Sequence, residues 1–183
     1  MKVINTDFKG LYVIEPQIYK DSRGYFFESY SKMHFNKAGL LDEFVQDNES
    51  LSDYGVIRGL HYQVEPFAQT KLVRVVSGEI LDVALDLRVG SETFGKVFSI
   101  QLSSENKLQL YIPKGFAHGF SVLGKKATVA YKCDSIYNKA AERGVNINDP
   151  FLSIEWRIQK QHQVISEKDF DWPDFEHAEY FHS

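Results

Sequence analysis

The sequence lacks the features that would place it outside the globular class. It holds a single cysteine, Cys133, so no internal disulfide can form and a reducing, cytoplasmic setting is expected. No apolar run approaches the ~18 residues that span a bilayer. The amino terminus, Met-Lys-Val-Ile-Asn-Thr-Asp, lacks the long apolar run expected of a signal peptide. A formal net charge of −4 excludes a general electrostatic pull towards nucleic acid or an anionic membrane. There is no fixed-period repeat, no low-complexity tract and no Pro- or Ser-rich linker. The 183 residues read as one domain, 1–183, long enough to bury a core without staples.

What is plentiful is aromatic. Fourteen Phe and ten Tyr suit a β core and an interface, and rings also stack on ligands. A strand is expected at Leu11–Glu15, closed by Pro16, and Gly24 marks a tight turn before a second aromatic run. Ser31 to Ala38 predicts a short helix with Ser31 as its N-cap and Gly39 as its stop. From residue 43 onward short strands and turns dominate. Leu81, Val83 and Leu85 alternate with Asp82, Ala84 and Asp86, a strand with one apolar and one polar face. Val76-Ser-Gly78-Glu79 is a turn, and further strands are expected at 97–102, 108–112, 116–123 and 127–133. Such spacing argues for an all-β sandwich or barrel. The tail, Glu155 to Ser183, reads as short helices and loops packed on the barrel or on a second subunit.

The stretch Gly55-Val-Ile-Arg-Gly-Leu-His61-Tyr-Gln63 organises the rest. It reads as a strand carrying an arginine and a histidine, and a lone strand histidine is often only a hydrogen-bonded structural residue. Gly55 and His61, with five residues between them, resemble the opening of the first cupin motif; Pro113-x-Gly115-x-x-His118 resembles the second. Together they imply a double-stranded β-helix (cupin jelly roll) with short peripheral helices. Metal cupins place a second histidine where Gln63 stands and a glutamate where Lys71 stands, seven residues before Gly78. With two of four ligands missing, no metal and no other cofactor is expected.

Five blocks in order sharpen the resemblance: Asp21-x-Arg23-Gly24-x-Phe-x-Glu28, Arg58-Gly-Leu-His61-Tyr-Gln63, Lys71-Leu-Val-Arg74, Ile112-Pro-x-Gly-Phe-Ala-His118-Gly-Phe and Ala141-Glu142-Arg-Gly. The chain resembles the dTDP-4-dehydrorhamnose 3,5-epimerase family from about residue 3 to about residue 173. That resemblance implies a nucleotide-linked 4-keto-6-deoxy sugar as substrate, with C–H bonds at C3 and C5 made acidic by the ketone. Epimerisation there needs a base, a group to hold the enolate oxygen, and an acid on the opposite face. By the resemblance His61 is the base, Tyr131 the acid and Lys71 the enolate-stabilising cation. Asp169 matches the carboxylate that orients the histidine, and Asp82 remains an alternative partner. Arg58, Arg23 and Lys168 match positions around the diphosphate and nucleotide, where a guanidinium pairs bidentately with phosphate. Glu28, Gln46, Asn48, His118 and Glu142 match other contact positions, and Tyr137 and Phe26 the neighbourhood of the base. The resemblance also implies a homodimer, and the β-prone aromatics beside Arg23 and Glu28 suit a dimer that exchanges its amino-terminal segment.

Three readings compete with this one. A mono-epimerase would invert only C3 or only C5 with the same His61 and Tyr131. A metal-dependent cupin oxygenase is opposed by Gln63 and Lys71, and a sugar-binding barrel would need neither acid nor base. One geometric demand is independent of family. Arg58 and His61 are three apart and face opposite ways in a regular strand, so an irregularity at Gly59 is required if both line one pocket.

Overall fold

The computed structural model describes residues 1–182. Its first four strands are β1 (Lys2–Asn5), β2 (Tyr12–Glu15), β3 (Tyr19–Asp21) and β4 (Gly24–Phe26). Helix α1 (Lys32–Lys37) follows. The long middle strands are β5 (Gln46–Asp53), β6 (Val56–Gln63), β7 (Lys71–Ser77), β8 (Glu79–Asp86) and β9 (Val97–Ser103). Next come β10 (Gln109–Ile112), β11 (Phe116–Val122), β12 (Lys126–Cys133) and β13 (Glu142–Gly144). The tail contributes β14 (Val164–Ile165) and the one-turn helix α2 (Glu167–Phe170).

Two sheets face each other, in the orders β1-β2-β10-β7-β12-β5 and β13-β6-β11-β8-β9, with β14 added parallel to β6. This is a sandwich, one of the two forms the strand spacing predicts, and the jelly roll that the cupin resemblance implies. Its inner core joins Val13, Val73, Leu110 and Val129 from one sheet to Ile80, Phe116 and Phe120 from the other. The outer face of the second sheet is covered by the chain from Val145 onward, the tail included, where Leu81, Val83 and Leu85 meet Val145, Leu152, Trp156 and Phe175. Helix α1 covers part of the first sheet's outer face through Phe35, against Ile14, Leu72 and Tyr111. Ser31 caps α1 by accepting from His34 N–H, and Gly39 follows in the left-handed region at φ +84°.

The alternation in β8 has a different meaning from the one its residues suggest. Both faces are buried: the leucine face lies under the tail, and Asp82 and Asp86 point into the sandwich, each fully buried. A polar face on a strand signals solvent only when nothing closes over it, and here the second sheet does.

The demand placed on Gly59 is met. His118 pairs with His61 and Phe120 with Arg58, so three steps along β6 oppose two along β11, the signature of a β-bulge. Gly59 sits at φ +141°, and a Cβ there would lie 2.7 Å from the Gly119 Cα. The bulge resets the parity of β6, so that Arg58 and His61 both line one pocket while Ile57, Leu60 and Tyr62 pack against the covering segment.

Candidate active site

Between the sheets, at one end of the sandwich, lies a cavity of about 760 Å³. The first sheet lines it with Gln46, Asn48 and Ser50 of β5, Lys71 of β7 and Tyr131 of β12. The second contributes Arg58, His61 and Gln63 of β6 with His118 and Phe120 of β11. Tyr137, Glu142 and the 164–169 segment close the rim. Period-2 alternation explains the selection: the inward residues of β5 and β12 are those of one parity, and β6 joins them through its bulge.

His61 is held by a buried carboxylate. Its Nε2 lies 2.6 Å from Asp169 Oδ1, and Asp169 is only 3% exposed. Burial pushes the Asp169 carboxyl up, but the His61 hydrogen bond, backed by Gly59 N–H and the Ser166 hydroxyl, carries it below the ordinary carboxylate value. An ionised carboxylate only accepts, so Nε2–H is the donor and the Nδ1 lone pair is left available. Asp169 is presented by α2, where Ser166 accepts from its backbone N–H.

A second pair lies beside the first. His118 Nε2 is 2.8 Å from Asp82 Oδ1, both residues buried, while Asp82 Oδ2 has no partner among the described residues. The alternative between Asp82 and Asp169 is thereby resolved geometrically, since each histidine has its own aspartate. Lys71 is buried, and the one hydrogen bond of its ammonium among the described residues is to the His61 carbonyl, at 3.4 Å. Burial pulls its pKa below the lysine norm, partly offset by Cys133, Asp82 and Glu142. Burial also raises the Tyr131 phenol, with Cys133 adding to the rise and Arg58 opposing it, so the proton stays on oxygen.

At the rim, Lys168 Nζ is 2.6 Å from Glu142 Oε2, and the Tyr137 hydroxyl donates to the same carboxylate at 2.9 Å. Burial lifts the Glu142 carboxyl, yet these two partners bring it below its ordinary value. Arg58 Nε donates to Ser52 Oγ at 3.1 Å, which aims its guanidinium. Gln63 is engaged as a brace: its amide donates to the Phe67 and Ile136 carbonyls and accepts from Asn138 N–H. Histidines paired with carboxylates and a phenol that keeps its proton are groups that can take and give protons, and the Gln63 amide is already committed to the backbone.

A sequence model of dTDP-4-dehydrorhamnose 3,5-epimerase matches residues 5–177. The chain belongs to this family. It is 49% identical over 182 residues to the dTDP-4-dehydrorhamnose 3,5-epimerase of Shigella flexneri, covering 99% of each chain. The crystal structure of the Elizabethkingia anophelis enzyme matches with a TM-score of 0.92 at 51% identity, over 96% of this chain and 97% of that one. A Legionella pneumophila dTDP-6-deoxy-D-glucose-3,5-epimerase, solved in complex with dTDP-4-keto-L-rhamnose, matches with a TM-score of 0.94 at 44% identity, over 100% of this chain and 98% of that one.

Within this cavity stand His61, Lys71, Tyr131, Asp169, Gln46, Asn48, Arg58, His118, Tyr137, Glu142 and Lys168. Arg23 and Glu28 do not. Arg23 pairs with Asp21 at 2.6 Å in the turn between β3 and β4, and Glu28 with His34 at 3.1 Å beside α1. Phe26 is exposed on the same hairpin, which pairs with neither sheet. None of the three lines the cavity of its own chain. Reading the residues missed Ser50, whose buried Oγ has no partner among the described residues, and Ser52. The parity that selects Gln46 and Asn48 also selects Ser50 and was the available signal.

Proposed function

We propose that this chain epimerises dTDP-4-dehydro-6-deoxy-D-glucose at C3 and C5, giving dTDP-4-dehydro-L-rhamnose. The observation that carries the reading is the opposition across one cavity of the His61–Asp169 pair, from one sheet and its tail, and Tyr131 with Lys71, from the other. A cavity of about 760 Å³ is of the size that encloses a small-molecule ligand. His61 takes the proton from carbon through Nδ1, and Asp169 supports the resulting imidazolium. Lys71 meets the C4 oxygen as it becomes an enolate, the moment at which stabilisation accelerates the reaction. Tyr131 returns a proton from the opposite face. Arg58 and Lys168 hold the diphosphate, and Tyr137 lies where a base would stack.

The exposed hairpin supports a second part of the proposal. Tyr19, Tyr25 and Phe26 are 62%, 57% and 65% exposed, an apolar cost that association of two copies would remove. In a homodimer exchanging this segment, Arg23 and Glu28 reach the partner's cavity. Light scattering at micromolar concentration tests it, with a monomer as the refuting result. The single buried thiol of Cys133 suits a cytoplasmic setting. Among the described residues no helix is long and apolar enough to cross a membrane.

Incubation with dTDP-4-dehydro-6-deoxy-D-glucose in D2O, followed by NMR, tests the activity. Deuterium at both C3 and C5 with inversion supports it. Deuterium at one carbon makes the chain a mono-epimerase, and none removes this substrate.

A further inference from the structure

The strand β13 places Gly144 directly opposite His61. Residues opposite each other in an antiparallel pair share a face, so a side chain at 144 would stand beside the imidazole. Gly144 leaves that position empty and the Trp172 indole fills it. A Cβ built on Gly144 would lie 2.4, 2.5 and 2.5 Å from three indole carbons. Gly144 is not in the left-handed region, so it is the space and not the backbone angle that requires glycine here. The indole meets the His61 ring at a centroid distance of 6.4 Å and an interplanar angle of 68°, an edge-to-face arrangement. The Lys168 ammonium lies 5.4 Å from the indole centroid, and Asn146 N–H donates to Pro173 O at 2.8 Å, fixing the segment that carries the ring. Trp172 Nε1–H is buried without a partner among the described residues.

The Asp169 hydrogen bond fixes one nitrogen of the His61 ring but leaves the ring free to swing about that contact. A second restraint is needed to set its plane. We propose that Trp172, seated in the notch left by Gly144, is a positioning residue that sets the plane of the His61 imidazole and keeps water from the His61–Asp169 hydrogen bond. The inference rests on the reading of His61 as base.

The test uses the full chain with four variants: Gly144→Ala, Trp172→Ala, Trp172→Phe and the double variant Gly144→Ala/Trp172→Ala. Misorienting a catalytic group costs on the order of 10- to 100-fold, so Trp172→Ala and Gly144→Ala lower kcat by that factor while KM moves by less than about threefold. Trp172→Phe, which keeps a ring in the notch, loses less than about fivefold. The double variant is no slower than Trp172→Ala, because the alanine methyl has lost the ring it displaced. Proton NMR supplies an independent readout: the low-field Nε2–H resonance of His61 is visible in the wild type and broadens into water in Trp172→Ala. Equal kcat loss in the Phe and Ala variants, multiplying losses in the double variant, or an unchanged resonance overturns the proposal. A wild type that exchanges no deuterium defeats the functional reading instead, and the resonance still decides whether Trp172 guards His61. Should Gly144→Ala fail to fold, the Phe–Ala contrast at position 172 decides alone.

Discussion

Replacing Asp169 with asparagine probes the centre of the proposed chemistry at almost constant volume. The carboxylate accepts from His61 Nε2–H at 2.6 Å and, through its other oxygen, from Gly59 N–H at 3.4 Å. An amide has one oxygen. If that oxygen serves Gly59, the NH2 group faces Nε2 and requires a lone pair there, which moves the imidazole proton to Nδ1, the atom needed as base. Loss of the charge-assisted bond alone is worth about 1.5–3 kcal/mol, or roughly 10- to 150-fold. Tautomer reversal in the serine-protease triad costs about 10⁴-fold, and burial at 3% exposure leaves little room for water to substitute. We therefore expect Asp169→Asn to lower kcat by on the order of 10²–10³ with KM within about threefold. Initial rates of deuterium entry at C3 and C5 provide the measurement. His61→Gln should cost at least as much, and the double variant should be no worse than His61→Gln, since the two residues act as a unit. Asp169→Asn retaining a fifth or more of wild-type kcat, or losses that multiply, would refute the dyad.

Other consequences follow from the burial of charge. Lys71→Met should lower kcat by about 10²–10³ while leaving the thermal midpoint unchanged or higher, because it removes a buried ammonium with one weak hydrogen bond; calorimetry beside the exchange assay reads both. Tyr131→Phe should suppress inversion more than exchange, since His61 still removes the proton and returns deuterium from its own face; the ratio of deuterated starting isomer to product measures this. Asp86 accepts from Arg88, Ser91 and Thr93, and these bonds outweigh burial to hold its pKa below the ordinary value. Asp169 is depressed likewise. For a depressed carboxylate the stabilisation is complete above about pH 4 and is lost as pH falls through the folded pKa. Urea midpoints should therefore decline below that pH, and Asp86→Asn should flatten the decline while costing about 2–4 kcal/mol at neutral pH.

How far the residues alone led can be judged element by element. The strands at 97–103, 109–112, 116–122 and 126–133 and the turn at Gly78 were legible because β-branched alternation and glycine punctuation are local signals. The bulge at Gly59 was legible too, since Arg58 and His61 could share a pocket only if parity failed between them. Burial of Asp82 and Asp86 was not, because a polar stripe looks the same whether water or a second sheet faces it. Asp169 lies 108 residues from His61, so no spacing rule joins them, and choosing between it and Asp82 required coordinates. Arg23 and Glu28 show the same limit in reverse: their motif is local, but it does not say that both stand outside the cavity of their own chain. Trp172 carries no motif at all and is visible only through the space Gly144 leaves.

On the proposed mechanism, the electrostatics of Lys71 favour enolate chemistry. A buried ammonium with a single acceptor at 3.4 Å is poorly solvated, and its lowered pKa records that deficit. Asp82 and Glu142 act on it at a distance and limit the loss of its proton, but neither forms an ion pair with it. A neutral ketone oxygen would relieve the deficit only slightly. The same oxygen with developing negative charge becomes the missing partner, in a cavity whose low dielectric strengthens the attraction. The interaction is thus weaker in the ground state than in the transition state, which is the condition for raising kcat rather than merely tightening binding. A direct carboxylate partner for Lys71 would repair the deficit in the resting protein and remove that difference. Cys133→Asp, adding a charge where Cys133 already biases Lys71, should therefore raise KM little and lower kcat at least tenfold. Undiminished turnover in that variant, with the fold intact by circular dichroism, would show that the under-solvated ammonium is not what stabilises the enolate.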